Sequence, residues 1–239
     1  MADTPRQADR MANPTDPADA WRGRRRRRDH GSKRDAVIRT AARAFDERGY
    51  HNTSLDDIAA ALGVTKPTVY YYVANKEQLL FECFRAGLEP IRAALRRAEA
   101  TPGTGRDRLR EVIRDYAVAI ASEYGWCMVR AEHQDLGTDL GGQVKALKSE
   151  IDRGIRRLLQ AGIADGSIAV QDPKLAAFAI AGSLNWIAHW YRAGRSLSAE
   201  QVAEAFVQFL ELGLAPRKDG AASTAETRSR LRRKTRAAS

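Results

Sequence analysis

Thr53-Ser-Leu-Asp-Asp-Ile-Ala-Ala-Ala-Leu-Gly-Val-Thr-Lys-Pro-Thr-Val-Tyr-Tyr-Tyr-Val-Ala-Asn-Lys76 decides the reading of this chain. Leu55, Ile58, Ala59 and Leu62 recur at helical spacing and form one buried stripe on a short helix. Ser54 is placed to cap that helix, and Asp57, three residues on, to complete a capping box. Gly63 supplies the tight turn. A second helix starts at Thr65. It tolerates Pro67 because first-turn amides have no intrahelical acceptor. Val69 and Val73, one turn apart, face inward, whereas Pro67, Tyr70, Tyr71 and Ala74 lie broadly on the other side. Three consecutive tyrosines span about 200° of helix, so Tyr70, Tyr71 and Tyr72 cannot all be buried on one face.

Working outward, a preceding helix is expected over Ser32–Arg48. Its inner stripe is Ile38, Ala41, Ala42 and Phe45, and Gly49 is its natural stop. Asn75 caps a fourth helix, with Gln78 at N3. Leu80, Phe84, Leu88, Ile91 and Leu95 make that helix long and amphipathic. Residues 32–80 therefore read as a helix-turn-helix unit. The second helix of such a pair enters the DNA major groove and reaches base edges with its N-terminal residues. Thr65 can offer its hydroxyl and amide to a phosphate at the helix N-terminus. Lys66, the lone cation of the reading helix, suits a guanine edge or a phosphate. Thr68 and Tyr70 suit hydrogen bonds, or methyl and ring contacts to thymine. Tyr71, Lys76 and, from the preceding helix, Thr53 read as backbone clamps that set register without reading sequence.

The charge is not where a DNA-reading unit alone would put it. The net charge is +10, yet residues 35–80 carry five Lys/Arg against six Asp/Glu. Residues 1–34 carry ten against five and residues 216–239 eight against two, so the basic excess sits at the two ends. Arg24, Arg25, Arg26, Arg27 and Arg28 stand directly before the first helix, and such an arm can track phosphates or enter the minor groove. Deleting residues 1–28 is expected to weaken DNA binding and to lower its salt slope by several units in titrations at increasing salt. An unchanged slope would rule the arm out.

The chain of 239 residues, 44% hydrophobic and 29% charged, is long enough for a proper core. Every period between the ends is helical, so the expected fold is all-α, of about nine helices. Residues 1–31 and 216–239 read as basic tails, 32–80 as the DNA-binding domain and 81–215 as a ligand-binding and dimerisation domain. Cys83 and Cys127 are far apart and in no redox or metal spacing, which fits a reducing cytoplasm. His30, His51, His133 and His189 show no ligand spacing, so no metal is expected. No nucleophile–base pair, paired carboxylates or Gly-rich phosphate loop points to an enzyme or a cofactor. No stretch reads as a membrane span.

The C-terminal part is read from stripes. Leu109, Val112, Ile113, Tyr116 and Ile120 form one, and Val144, Leu147, Ile151, Ile155 and Leu158 another. A helix apolar nearly all round runs from Leu175 to Trp190, stopped by Gly194. It carries Asn185, Trp186 and His189. A buried Asn or His needs a partner, either a ligand or a satisfied core or interface group. Phe84, Leu88, Tyr116, Ile120, Tyr124, Trp126 and Met128 are expected to line a cavity with them. The last helix, capped by Ser198 and Gln201, offers Val202, Phe206, Phe209, Leu210 and Gly213, with Trp190, as an apolar edge for a second copy.

Leu55-Asp-Asp-Ile-Ala-Ala-Ala-Leu-Gly-Val-Thr-Lys-Pro-Thr-Val-Tyr-Tyr-Tyr-Val-Ala-Asn-Lys-Glu-Gln-Leu-Leu80 resembles the signature of the TetR family of transcriptional regulators. The length and the helical pattern extend the resemblance over residues 32–215. The resemblance implies a homodimeric, all-α, one-component repressor with a palindromic DNA operator. A small molecule in the C-terminal domain would tilt the fourth helix and spoil the spacing of the two reading heads. The operator-contacting positions of the family's motif match Thr65, Lys66, Pro67, Thr68, Tyr70, Tyr71 and Lys76. Asn185-Trp-Ile-Ala-His-Trp-Tyr-Arg192, followed by Gly194 and Leu197-Ser198, resembles a branch that answers to fatty acids, acyl-CoA thioesters or steroid acyl-CoA. The alternative is a constitutive or architectural DNA-binding dimer with no effector.

Overall fold

The computed structural model describes residues 29–131 and 135–216. The Arg24–Arg28 run, His133 and the C-terminal basic tail lie outside them. Among the described residues all regular structure is helical, as the periodicities imply. The chain divides into two units between Leu79 and Leu80.

The first unit contains α1 (Asp29–Arg48), α2 (Leu55–Leu62), α3 (Lys66–Tyr70) and the start of α4 (Lys76–Ala100). α1 begins three residues before the expected Ser32. Its stripe of Ile38, Ala41, Ala42 and Phe45 is buried with Val37. Both halves of the Ser54–Asp57 capping box are made. The Ser54 hydroxyl and amide on the Asp57 carboxylate, with Arg48 nearby, hold its pKa below the usual carboxylate range. Gly63 adopts φ 67°, a left-handed conformation that costs a side-chain-bearing residue strain, and its N–H closes α2 on Ala59 and Ala60. α3 is only five residues long. Val69 and Val73 anchor it, both essentially buried. Asn75 caps α4 by accepting from the Gln78 amide at 2.7 Å, while the Gln78 side chain accepts from Ala74 rather than from the cap residue itself.

The second unit contains the rest of α4, then α5 (Gly105–Ile120), α6 (Gly125–Val129), α7 (Thr138–Ala164), α8 (Pro173–Asn185), α9 (Ile187–Trp190) and α10 (Ala199–Leu214). α5 is its central rod and packs on α7, α8 and α10. Leu109, Ile113, Ile155, Leu159, Ile180 and Leu184 are among its most deeply buried side chains. Arg110 grips Glu211 with two hydrogen bonds of 2.7 and 2.9 Å, and Arg114 meets Glu204 at 3.1 Å, which ties α5 to α10 along one side. The start of α5 touches α7 backbone to backbone, at Gly105 and Gly162.

Three expectations about this unit change. The helix expected over Leu175–Trp190 is two segments. The His189 amide reaches back three residues to Trp186, a tightened turn, and the extended backbone of Tyr191 ends it before Gly194. Nor is that stretch buried all round, because Leu175, Phe178, Trp186 and Trp190 are exposed. Finally, Cys83 of α4 and Cys127 of α6, remote in sequence, have their thiols in hydrogen-bonding contact inside the core. Burial, and then the neighbouring thiol, push the Cys83 thiol well up, which suits an inert packing group. No group of three His, Cys, Asp or Glu able to hold a metal occurs among the described residues. No helix among them is long and apolar enough to cross a membrane.

Candidate functional site

Two features stand out, one in each unit. In the first, the outer side of α3 is open. Thr65, Lys66, Pro67, Tyr70 and Tyr71 are exposed, Tyr71 at 70%. Thr65 is the N-cap, but its hydroxyl meets the Thr68 hydroxyl at 2.9 Å instead of capping an amide. In that first turn Pro67 carries no N–H and the Thr68 N–H donates to the Thr65 carbonyl at 2.9 Å, which leaves the Lys66 amide without a side-chain cap. Lys76 lies over the Tyr50 ring at 4.2 Å and reaches the His51 carbonyl at 3.5 Å. A crevice of about 440 Å³ is lined by His51 to Asp57, Lys66, Tyr70, Asn75 and Lys76.

Two residues there depart from expectation. The Thr53 side chain is buried, 1% exposed, and its hydroxyl donates toward the Ala44 and Gly49 carbonyls. It locks the end of α1 to the start of α2, so the expected side-chain clamp on DNA does not fit this geometry. Lys66 is also engaged. Its Nζ lies 2.9 Å from the Asp56 carboxylate, whose hydrogen bond and charge raise the lysine's pKa. Nothing in the local sequence marks Asp56 for this pairing. Its reach to α3 depends on how the two helices cross.

In the second unit a cavity of about 430 Å³ opens among α4, α5, α6, α7 and α8. Of the expected lining, Leu88, Tyr116, Ile120, Met128 and Asn185 line it. The Tyr116 hydroxyl donates to Asn185 Oδ1 at 3.2 Å, and burial pushes the tyrosine's pKa up to about 12. Phe84, Tyr124, Trp126, Trp186 and His189 are not in the lining. Phe84 is buried in α4, and the Nζ of the lining residue Lys148 sits 5.1 Å from its ring centre. Tyr124 and Met128 pack against α4 at Gly87, where a side chain would collide with both. Trp186 and His189 stack on each other at 4.6 Å, with Trp186 exposed. Sequence reading missed the apolar Ile151, Ile155, Ala177, Phe178 and Ala181 as lining, and with them the polar Lys145, Lys148, Ser149, Asp152 and Arg156 of α7. The signal of those polar groups was an i, i+3, i+4, i+7, i+11 spacing flanking the apolar stripe, which reads as solvent face until another helix covers it.

The comparisons with known proteins bear on both units. Residues 37–83 match the family described as bacterial regulatory proteins, tetR family, and residues 102–214 match the tetracyclin repressor-like C-terminal domain. The transcriptional regulator RutR of Escherichia coli strain K12 is 30% identical, over 65% of this chain and 74% of its own length. The chain belongs to the TetR family of transcriptional regulators. That family is one of regulators and not of enzymes. The transcriptional repressor KstR2 of Rhodococcus jostii is 28% identical across 77% of this chain and 91% of its own. The solved structure of AibR in complex with isovaleryl coenzyme A and operator DNA superposes with a TM-score of 0.64 at 29% identity, covering 74% of this chain and 96% of AibR.

In this TetR-family chain the expected pairing edge is partly internal. Val202 and Leu210 are buried in the unit's own core, because α10 turns that side onto α5. Phe206 is half-buried, while Trp190, Phe209 and Gly213 are exposed. The outer apolar surface also includes Leu175, Phe178, Leu197 and Leu212, with Phe209 at 72% and Leu212 at 82% exposure.

Proposed function

We propose that this regulator is a homodimeric repressor that holds a palindromic operator and is released by a small apolar or acyl-CoA-type effector. Residues 32–80 form its DNA-binding domain and residues 81–215 its ligand-binding and dimerisation domain, with basic arms over 1–31 and 216–239. The open face of α3, with Thr65, Lys66, Pro67, Thr68, Tyr70 and Tyr71, reads the site, and Lys76 holds the backbone. The observation that carries the sensing half is the cavity of about 430 Å³ in the second unit. It has the size and mixed lining of a small-molecule site, and a constitutive binder would have no use for one. The apolar groups that α8 and α10 leave exposed support the dimer, since a monomer would keep them wet. AibR, solved with a coenzyme A thioester, and KstR2, named a repressor, support the effector class and the sign of regulation.

Selection of bound sequences from a random DNA pool is expected to return two half-sites in inverted repeat. Fatty acids and coenzyme A thioesters are then screened for release of that DNA. A single unrepeated site would sink the dimer. Failure of every compound to release the DNA would leave a constitutive DNA-binding dimer.

A further inference from the structure

The cavity wall contributed by α7 is charged, and its charges are not equivalent. Lys145, Lys148, Ser149, Asp152 and Arg156 share one side of the helix. Arg156 is closed onto Asp152, with Nε 3.2 Å from Oδ1 and Nη2 2.6 Å from Oδ2, and its guanidinium also lies 5.3 Å from the Phe178 ring centre. Asp152 is thus engaged within the wall. The neutral pair, Tyr116 and Asn185, answer each other at 3.2 Å. Lys145 is exposed at the rim, where water solvates it.

Lys148 differs from all of these. It is half-buried and lines the cavity, and among the described residues it makes no salt bridge. Its Nζ instead faces the Phe84 ring, 5.1 Å from the ring centre. A ring face is a weaker partner for an ammonium than a carboxylate is. Burial brings the Lys148 pKa down to about 8, so at neutral pH it is mainly charged and poorly solvated. Leu88, Ile120, Met128, Ile151 and Ile155 surround the same space with apolar surface. A cation that lacks an anion, set in an apolar wall, is complementary to an apolar molecule that carries one.

We infer that the effector is an amphipathic anion whose carboxylate or phosphate seats on Lys148 while its apolar body fills the cavity. This inference rests on reading the cavity as the effector site. It adds the charge of the ligand and the residue that takes it.

The test uses the full chain and two fluorescent probes of similar size, anionic 8-anilinonaphthalene-1-sulfonate and uncharged N-phenyl-1-naphthylamine. The wild-type chain is expected to prefer the sulfonate by about tenfold or more, as befits a partly desolvated ion pair. Lys148→Met is expected to abolish the preference without weakening the neutral probe, and Lys148→Arg to keep most of it. Arg153→Met, an exposed cation of α7 outside the cavity lining, is expected to change either affinity by less than about twofold. If Lys148→Met leaves the preference intact, or Arg153→Met removes it instead, the assignment to Lys148 is overturned. Ala181→Trp, which fills the cavity from α8, separates the two levels of the claim. If both probes still bind to that variant as before, the cavity is not the binding site, and the effector reading falls together with the anchor. Competition then identifies the source of the anion. Displacement of the sulfonate by decanoate assigns a carboxylate, and displacement by decanoyl-coenzyme A alone assigns a phosphate. Equal displacement by uncharged methyl decanoate overturns the proposal.

Discussion

Gly105→Ala is expected to destabilise the second unit by about 3 kcal/mol or more, an overpacking penalty at the high end of its usual range. Gly105 opens α5 where that helix touches α7. A Cβ there would lie 2.1 Å from the Gly162 nitrogen and 2.4 Å from its Cα. Those are backbone atoms in the middle of a helical turn, so no rotamer change relieves the clash. The loop after α7 also fixes the approach. Gly105 N–H donates to Asp165 at 2.6 Å and Arg106 N–H to Ser167 at 3.2 Å, which satisfies amides at the start of α5. Moving α5 away to accept a methyl group therefore breaks hydrogen bonds as well. Gly162→Ala should cost less, because its nearest obstacle is the Ile168 side chain. Urea unfolding followed by circular dichroism checks both variants. A Gly105→Ala midpoint equal to that of the wild type would show that the close approach is not real.

Replacing Tyr70 and Tyr71 together by alanine is expected to weaken operator binding by about a hundredfold, with a stability change within about 0.5 kcal/mol. The two rings are exposed at 45% and 70%, so the fold loses little, and Val69 and Val73 continue to hold α3. The direction of the salt effect separates these residues from the cations. Neither tyrosine displaces counterions from DNA, so the salt slope should stay constant while affinity drops. Lys76→Ala should instead reduce the slope by about one. Fluorescence anisotropy on the selected operator at several salt concentrations reads both quantities. Retained affinity in the double variant would remove α3 from the reading surface.

How much of this was legible depended on how local each cause is. The Ser54–Asp57 box, the turn at Gly63 and the inward Val69 and Val73 are set within one or two turns of chain, and the sequence displays them. Thr53 was misjudged because its partners are carbonyls at Ala44 and Gly49, presented by the end of a different helix. On α10, apolar residues flank both sides. Only the position of α5 decides that Val202 and Leu210 go inward while Phe209 and Leu212 stay out. Periodicity sorts a helix into two faces, inside and outside. The α7 residues that line the cavity belong to neither, so Lys148 and Asp152 read as solvent-facing until α4, α5 and α8 enclose them.

The Asp56–Lys66 pair gives the proposed DNA-facing surface a built-in counterion. Before DNA arrives, the single cation of α3 is already neutralised by a neighbour at 2.9 Å. On the proposed reading, engaging DNA through Lys66 would exchange one anion for another and free a carboxylate toward a polyanion. Exchange of that kind gains little on an arbitrary stretch of backbone. It favours sites that offer Lys66 a well-aimed base edge, or that offer Asp56 an amino group such as the N4 of cytosine. If α3 reads DNA as proposed, that one acidic residue makes the surface a filter, with a lowered appetite for DNA in general and a wider margin between the correct sequence and every other.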